Sequence, residues 1–439
     1  LRKMEKDFKN LIKTRFPYLC TNKILLAISG GVDSVVLAHL CASSKLDFSM
    51  AHCNFNLRDE ESDGDENFVV DLADSLNVEI FTENFDTEKF ASDKGISIQM
   101  AARELRYTWF KELASNLHYD YILTAHHAND NLETFLINLI RGTGPEGLTG
   151  IKAENNNVIR PLLHFSRKEI ESFARKQKYK WREDSSNASE KYLRNKIRHS
   201  MVPLMEEINP QLLESFAKTQ RYLRSNLDLV DDYMSLLYPK LIQKKDFGYA
   251  IELTYLKKLP NQKEILYQLL KSFGFTEWND IYNLINAQSG KVVFSETHRL
   301  IKDRDQLLLT HNQSGDKQKH YSVEKNENYV ILPMGTLAIS KVSKLGTPAK
   351  NCIFVPKSKL QFPICIRKWQ KGDFFYPFGM SGKKKLSRFF KDEKFSLPEK
   401  ENTWILASGE EIVWVINHRM DNRFAVSEED SAILKLCVT

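Results

Sequence analysis

A chain of 439 residues exceeds what one hydrophobic core organises, so two to four domains are expected. Hydrophobic residues at 42% and charged residues at 27% exclude collagenous, disordered and membrane-embedded classes, and no apolar run is long enough to span a bilayer. The net charge of +6 is unevenly placed: residues 175–198 and 367–394 each hold nine basic and three acidic side chains, which leaves the remainder acidic. Two basic segments on an acidic chain point to a polyanionic partner, although two solvated faces would share that pattern. Residues 1–7 show no signal-like apolar stretch, and the six cysteines form no Cys-x-x-Cys. Reduced thiols in a cytoplasmic protein are therefore expected.

Taken in order, residues 5–16 read as an amphipathic helix with Phe8, Leu11, Ile12 and Phe16 on its apolar face. A buried strand at 23–28 then runs into Ser29-Gly30-Gly31-Val32-Asp33-Ser34, followed by apolar residues at helical spacing. Strands are expected at 48–55, 78–81 and 119–125, with helices at 65–76, 97–117, 128–141 and 166–178. The alternation predicts an α/β fold with a doubly wound parallel sheet and its ligand at the carboxyl ends of the strands. Residues 210–310 read as helical. Short β-type runs return after a polar stretch at 313–328, giving a small α+β carboxyl-terminal domain. The expected boundaries are 1–210, 211–315 and 316–439.

Strand, Gly-Gly turn and helix start form a cup whose free N–H groups suit phosphate, though an ordinary βα turn is the plainer alternative. The Gly-Lys-Ser/Thr ending of the Walker loop is missing. Asp33, a carboxylate among phosphate donors, makes sense with Mg²⁺ between them. Arg58 closes a segment at a strand end, where it could reach a phosphate or base. Helix 97–117 is expected to bury Ile98, Ala102, Leu105, Trp109 and Leu113, while Arg103, Arg106 and Tyr107 cluster on one side. Two arginines beside an aromatic suit a charged planar substrate. In residues 124–134, His126, Asp130 and Glu133 can converge. Zinc is disfavoured because no third His or Cys follows, and acids for Mg²⁺ or a substrate ammonium fit better. Four glycines and a proline in 141–150 predict an ordered turn that hugs a ligand. Arg194 and Arg198 share a helical face suited to phosphate. Lys383, Lys384, Lys385 and Arg388 are interleaved with glycines and aromatics, a composition that grips phosphate and stacks on bases.

Ser29–Ser34 resembles the pyrophosphatase loop of the ATPases that split ATP between its α- and β-phosphates and transfer AMP, an adenine nucleotide α-hydrolase-like fold. Together with residues 52–58, 101–107, 126–134, 141–150, 183–187 and 194–198, and with the 382–387 element, it resembles the tRNA(Ile)-lysidine synthetase family. Asn129 departs from the family, which usually shows an aspartate there, as does the 54–56 segment. The resemblance implies ATP and Mg²⁺, with Ser29, Gly30, Gly31, Val32, Asp33 and Ser34 on the nucleotide, Asp33 and Asp130 on the metal, and Arg103 and Arg106 neutralising the transferring phosphoryl group. It implies a tRNA(Ile) with a CAU anticodon, held by Arg194, Arg198, Lys383, Lys384, Lys385 and Arg388. Free L-lysine would be the second substrate; its amine must be neutral to attack, so a base or water takes its proton, with Glu133 and His127 as the candidate bases. A homodimer is left open. The rivals are a tRNA cytidine thiolase of the same superfamily, which needs sulfur-carrying cysteines, and a non-catalytic RNA-binding protein on a relict nucleotide fold.

Overall fold

Helix α1 (Lys3–Arg15) buries Met4, Phe8 and Ile12, and Phe16 follows them into the core. The computed structural model describes residues 3–57, 60–183, 193–312, 320–346, 349–380 and 382–439. They divide into two units, Leu1–Asp231 and Asp232–Thr439.

In the first unit β1 (Ile24–Ala27), α2 (Val32–Ser43), β2 (Phe48–Asn54), α3 (Glu60–Leu76) and β3 (Ile80–Asn84) come first. Then follow α4 (Thr87–Lys94), α5 (Ile98–Asn116), β4 (Tyr121–Leu123), α6 (Ala128–Arg141) and α7 (Pro145–Leu148). Strands β5 (Glu154–Asn155) and β6 (Val158–Ile159) and helix α8 (Arg167–Gln177) complete the layered part. The strand order is β3-β2-β1-β4-β6-β5, parallel except for β5. The chain winds outward from β1 through β2 and β3, then restarts at β4 on the other side. A topological switch point therefore lies between β1 and β4, where doubly wound folds bind their ligands. Residues of α1, α2, α3 and α8 pack in one cluster and residues of α5 in another, with alternate β1 residues divided between them.

The apolar stripe of α5 differs from its expected register. Ala101, Phe110 and Ala114 are buried, Trp109 and Leu113 partly so, and Ile98 is 41% exposed. After the layered part come α9 (Leu193–Lys196), a π-helical turn (Ile197–Met201), α10 (Val202–Ile208) and the 30-residue α11 (Leu212–Leu241). Ile197, Val202 and Phe216 pack on Leu132 and Leu136 of α6.

The second unit continues with β7 (Ile242–Lys245), β8 (Gly248–Glu252), α12 (Leu253–Leu256), α13 (Gln262–Leu270), α14 (Trp278–Leu284), β9 (Val292–Phe294), β10 (His298–Asp303) and β11 (Gln306–His311). Alongside the expected helices, this middle region carries an antiparallel sheet, β7-β8-β11-β10-β9. Leu300, Leu307 and Leu309 pack it against α13 and α14. Next come β12 (Tyr321–Val323), β13 (Tyr329–Leu332), β14 (Gly335–Val342), β15 (Cys352–Pro356), β16 (Ile364–Lys368), β17 (Phe374–Phe375), β18 (Lys384–Lys385) and α15 (Leu386–Asp392). Helix α16 (Leu397–Asn402), β19 (Trp404–Ser408), β20 (Glu411–Val415), β21 (Arg419–Met420) and β22 (Ile433–Val438) end the chain. Sheets β12-β16-β19-β20-β21 and β13-β14-β22-β15 share a core built on Trp414 and Leu436. The expectation of six reduced thiols is corrected here. Cys352 and Cys437 oppose each other across β15 and β22 and form a disulfide, and the other four cysteines are free.

Candidate active site

Three helix amino-termini meet beside the switch point. The first follows β1. Gly30 adopts φ +83°, a backbone L side chains rarely take, and Gly31 caps α2 with extended backbone and no side-chain acceptor. The N–H groups of the first turn are thus left for a ligand. The two serines brace the loop: Ser34 Oγ donates to Gly31 O at 2.9 Å and accepts from Ser29 N–H at 3.2 Å. The second terminus is that of α6, closed by a capping box. His127 Nδ1 accepts from Asp130 N–H at 3.3 Å, and Asp130 Oδ2 accepts from His127 N–H at 3.0 Å. The third is that of α8, where Ser166 and Glu169 form a second capping box and Arg167 occupies the first helical position.

These termini bring Asp33 and Asp130 to the same imidazole. His127 Nε2 lies 3.8 Å from Asp33 Oδ2 and 3.4 Å from Asp130 Oδ2. Because Nδ1 accepts a backbone hydrogen, Nε2 carries the ring hydrogen and faces the carboxylates. Asp33 Oδ2 also accepts from Arg167 Nη1 at 3.2 Å, whereas Asp33 Oδ1 is buried without a hydrogen-bond partner. Burial pushes the Asp33 carboxyl above its ordinary range, against the pull of His127 and Arg167. Burial acts in the same direction on Asp130, but His127, His126 and Arg194 outweigh it and hold that carboxyl low. A buried carboxylate oxygen without a donor beside a phosphate cup suits a cation. Among the described residues no three His, Cys, Asp or Glu side chains could hold a metal together. Two carboxylates completed by phosphate oxygens match the way Mg²⁺ is usually bound, so these residues fit that ion.

Arg194 and Arg198 lie on one face, as their spacing predicts, and this face grips α6. Glu133, 1% exposed, accepts from Arg194 Nε at 2.8 Å and from Arg198 Nε at 2.7 Å. Asp130 Oδ1 accepts from both guanidinium groups at 3.1 Å. Their charge therefore stands at the site and is already shared with its acids. Both Glu133 oxygens are engaged by these arginines, and His127 Nδ1 is taken up by the capping bond from Asp130 N–H.

Arg103 and Arg106 are exposed on α5, with guanidinium groups over the rings of Tyr107 and Phe55. His126, partly buried, pairs Nδ1 with Thr124 Oγ1 at 2.9 Å. Burial lowers its pKa to about 4, with Arg160, Arg194 and Arg103 adding to the shift. Arg58 and the 184–187 part of the resemblance lie outside the described residues. The glycine-rich turn is ordered through Asn131: its Oδ1 accepts from Ile151 N–H at 2.7 Å and from Gln220 Nε2 at 3.2 Å. Gln220 Nε2 also donates to Thr149 O at 3.0 Å. In the second unit Lys383, Lys385 and Arg388 are exposed, while Lys384 is half-buried and paired with Asp392 at 2.8 Å.

Arg167 is the site residue that sequence reasoning missed. Its backbone N–H donates to Asn129 Oδ1 at 3.0 Å and its Nε to Glu171 at 2.9 Å, which aims the guanidinium at Asp33. The signal was available: Ser166-x-x-Glu169 marks a helix start, and helix starts in this sheet line the ligand cleft.

Residues 1–205 match the PP-loop domain family, residues 244–312 the TilS substrate binding domain and residues 364–436 the TilS substrate C-terminal domain. The tRNA(Ile)-lysidine synthase of Parabacteroides distasonis is 40% identical over 417 residues, 94% of either chain. That of Bacteroides thetaiotaomicron is 37% identical over 420 residues, 95% of each. Among solved structures, the U34-tRNA thiolase NcsA of Methanococcus maripaludis covers 50% of this chain and 78% of its own, with 18% identity and a TM-score of 0.43. A phosphate cup joined to paired acids, three matching domains in order and identity at this level across both units lead to one statement: the chain belongs to the tRNA(Ile)-lysidine synthase family.

Proposed function

We propose that this enzyme ligates lysine to carbon 2 of the wobble cytidine of a tRNA(Ile) with a CAU anticodon, using ATP. The cytidine carbonyl oxygen attacks the α-phosphorus, pyrophosphate leaves, and an adenylated base results. The ε-amine of lysine then attacks carbon 2, loses a proton and displaces AMP. An amide-like oxygen is a poor leaving group and AMP a good one, which is why adenylation comes first. The observation that carries the reading is the meeting of the α2 cup with the α6 acids at His127, in a chain 40% identical to a tRNA(Ile)-lysidine synthase.

Residues 29–34 hold the triphosphate through backbone N–H groups. Asp33 and Asp130 hold Mg²⁺, which supplies charge neutralisation at the phosphates when bound. Arg103 and Arg106, exposed and free to swing from their aromatic rests, meet charge building on the α-phosphoryl group. Arg194 and Arg198 fix Asp130 and leave cationic surface for the RNA backbone. Lys383, Lys385 and Arg388 contact tRNA phosphate at a distance in sequence from the chemistry. The catalytic part is residues 1–210, the middle part 211–315 and the tRNA-binding part 316–439. The thiolase reading loses ground at Cys53, whose thiol burial pushes up to about 12, leaving almost no thiolate at neutral pH.

The test is incubation with ATP, Mg²⁺, lysine and unmodified tRNA(Ile), followed by nucleoside mass spectrometry. A lysine adduct on the wobble cytidine with AMP release is expected. A sulfur-bearing product, or modification that proceeds without lysine, would overturn it.

A further inference from the structure

The second unit carries two apolar side chains that its core does not use. Phe378 and Met380 are 52% and 46% exposed in the connection between β17 and β18. The backbone that carries them is hydrogen-bonded. Phe378 N–H donates to Met420 O at 3.0 Å, and Met380 N–H donates to Pro377 O at 2.9 Å. Pro377 bridges to Asp421, which is fully buried and accepts from Tyr376 N–H at 2.9 Å and from Arg423. The backbone from Tyr376 to Met380 is thus held by main-chain bonds and by Asp421, not by the Phe378 and Met380 side chains.

Exposed cations follow it along the chain. Lys383 sits with Nζ 3.4 Å from the Phe374 ring centroid, and Lys385 and Arg388 are exposed on the same hairpin and the helix it leads into. An exposed aromatic ring and exposed cations carried on one hairpin and the helix after it suit the π-face of a base and its phosphates. We propose that Phe378 stacks on an unpaired base of the bound tRNA, while Lys383, Lys385 and Arg388 hold the flanking phosphates. This rests on the reading of residues 316–439 as the tRNA-binding part. One exposed phenyl ring suits a single splayed base, and paired bases inside a duplex offer it no free face.

Stacking and phosphate contact respond differently to salt, so the two are separable. The 439-residue chain is titrated with tRNA across salt concentrations for wild type, Phe378→Ala, Phe378→Trp, Phe378→Leu and a Lys383/Lys385/Arg388→Ala triple variant. Phe378→Ala should weaken binding roughly 5- to 150-fold with an unchanged salt slope, the range expected for one stacked base. Phe378→Trp should restore binding and Phe378→Leu should not. A single-stranded oligonucleotide should compete better than a blunt duplex against wild type, and lose that advantage against Phe378→Ala. Wild-type affinity in Phe378→Ala, full rescue by Leu, or equal competition by the blunt duplex would each overturn the stacking role. If instead wild type shows no salt-dependent tRNA binding and the triple variant is unchanged, the tRNA-binding reading itself fails.

Discussion

Asp33 keeps one oxygen buried without a donor and the other against Arg167, an arrangement that costs stability in the free protein. Burial raising its pKa expresses the same cost. Asp33→Asn is therefore expected to leave the thermal unfolding midpoint unchanged or higher. AMP formation should fall roughly 10²- to 10³-fold, the scale seen when one electrostatic group is removed from a reacting centre. Undiminished AMP formation at saturating ATP and Mg²⁺ would remove Asp33 from the site. His126 gives a second prediction, on the acid side. Its pKa falls from 6.5 to about 4 on folding, so between those values the unfolded chain binds the proton and the folded one does not. This contribution to stability is complete above pH 6.5 and is lost as pH falls toward 4. Histidine NMR should show one ring still neutral at pH 5.5, and His126→Gln should flatten the stability profile over that window. A ring that titrates near 6.5 would contradict the burial described for it.

The elements that carry these residues were legible in the sequence to different degrees. The α2 cup and α6 were readable because each follows a buried strand and opens with residues of distinct chemistry, and residues 128–141 form α6 over the span expected. The sheet of the middle region was hidden. Its strands β7 to β11 are short and interrupted by α12 to α14, and in that context runs such as Leu307-Leu308-Leu309 read equally as helix. The pairing of Arg194 and Arg198 with Glu133 was hidden for another reason. Their separation in sequence exceeds 60 residues, and i, i+4 spacing reports a shared face without saying what the face meets. That pairing has a testable weight. Glu133→Ala removes one of the two carboxylates that hold these guanidinium groups and leaves them Asp130 alone, so, with Arg194 partly open to solvent, a loss of about 2–3 kcal/mol in denaturant unfolding is expected. A smaller loss, below about 1 kcal/mol, would show that the arginines find other partners at no cost. The glycine turn offers a parallel test. Gly150 has φ +69°, and a Cβ there would stand 2.2 Å from Asn131 Oδ1 and from Gln220 Nε2. Gly150→Ala is expected to cost roughly 2–4 kcal/mol through backbone strain and overpacking. Wild-type stability in that variant would mean the Asn131–Gln220 junction yields freely.

At the scale of the whole chain, charge rather than shape separates binding from chemistry. The net +6 conceals two basic segments, one ending in the arginines that grip α6 and the other covering β17, β18 and α15. In the first, Arg194 and Arg198 are already shared with Asp130 and Glu133, so removing them disturbs the acidic site as well as the proposed RNA contact. The second segment allows a cleaner cut, and its lysines are unequal. Lys384 is half-buried and held by Asp392, whereas Lys383, Lys385 and Arg388 face solvent. An exposed cation gives up little on meeting a phosphate, while Lys384 would first have to leave its partner. Lys383→Ala, Lys385→Ala and Arg388→Ala should each flatten the log–log salt dependence of tRNA binding, by about 0.7–0.9 for every phosphate no longer neutralised. Lys384→Ala should change that slope least. ATP affinity should stay at its wild-type value in all four, since the phosphate donors of residues 29–34 belong to the other unit. Because phosphate contacts position without specifying, affinity should drop similarly for cognate and non-cognate tRNA. If Lys384→Ala flattens the slope as much as its neighbours do, the ion pair with Asp392 opens in the complex. If none of the four moves it, this segment does not touch the RNA backbone and the polyanion is held elsewhere.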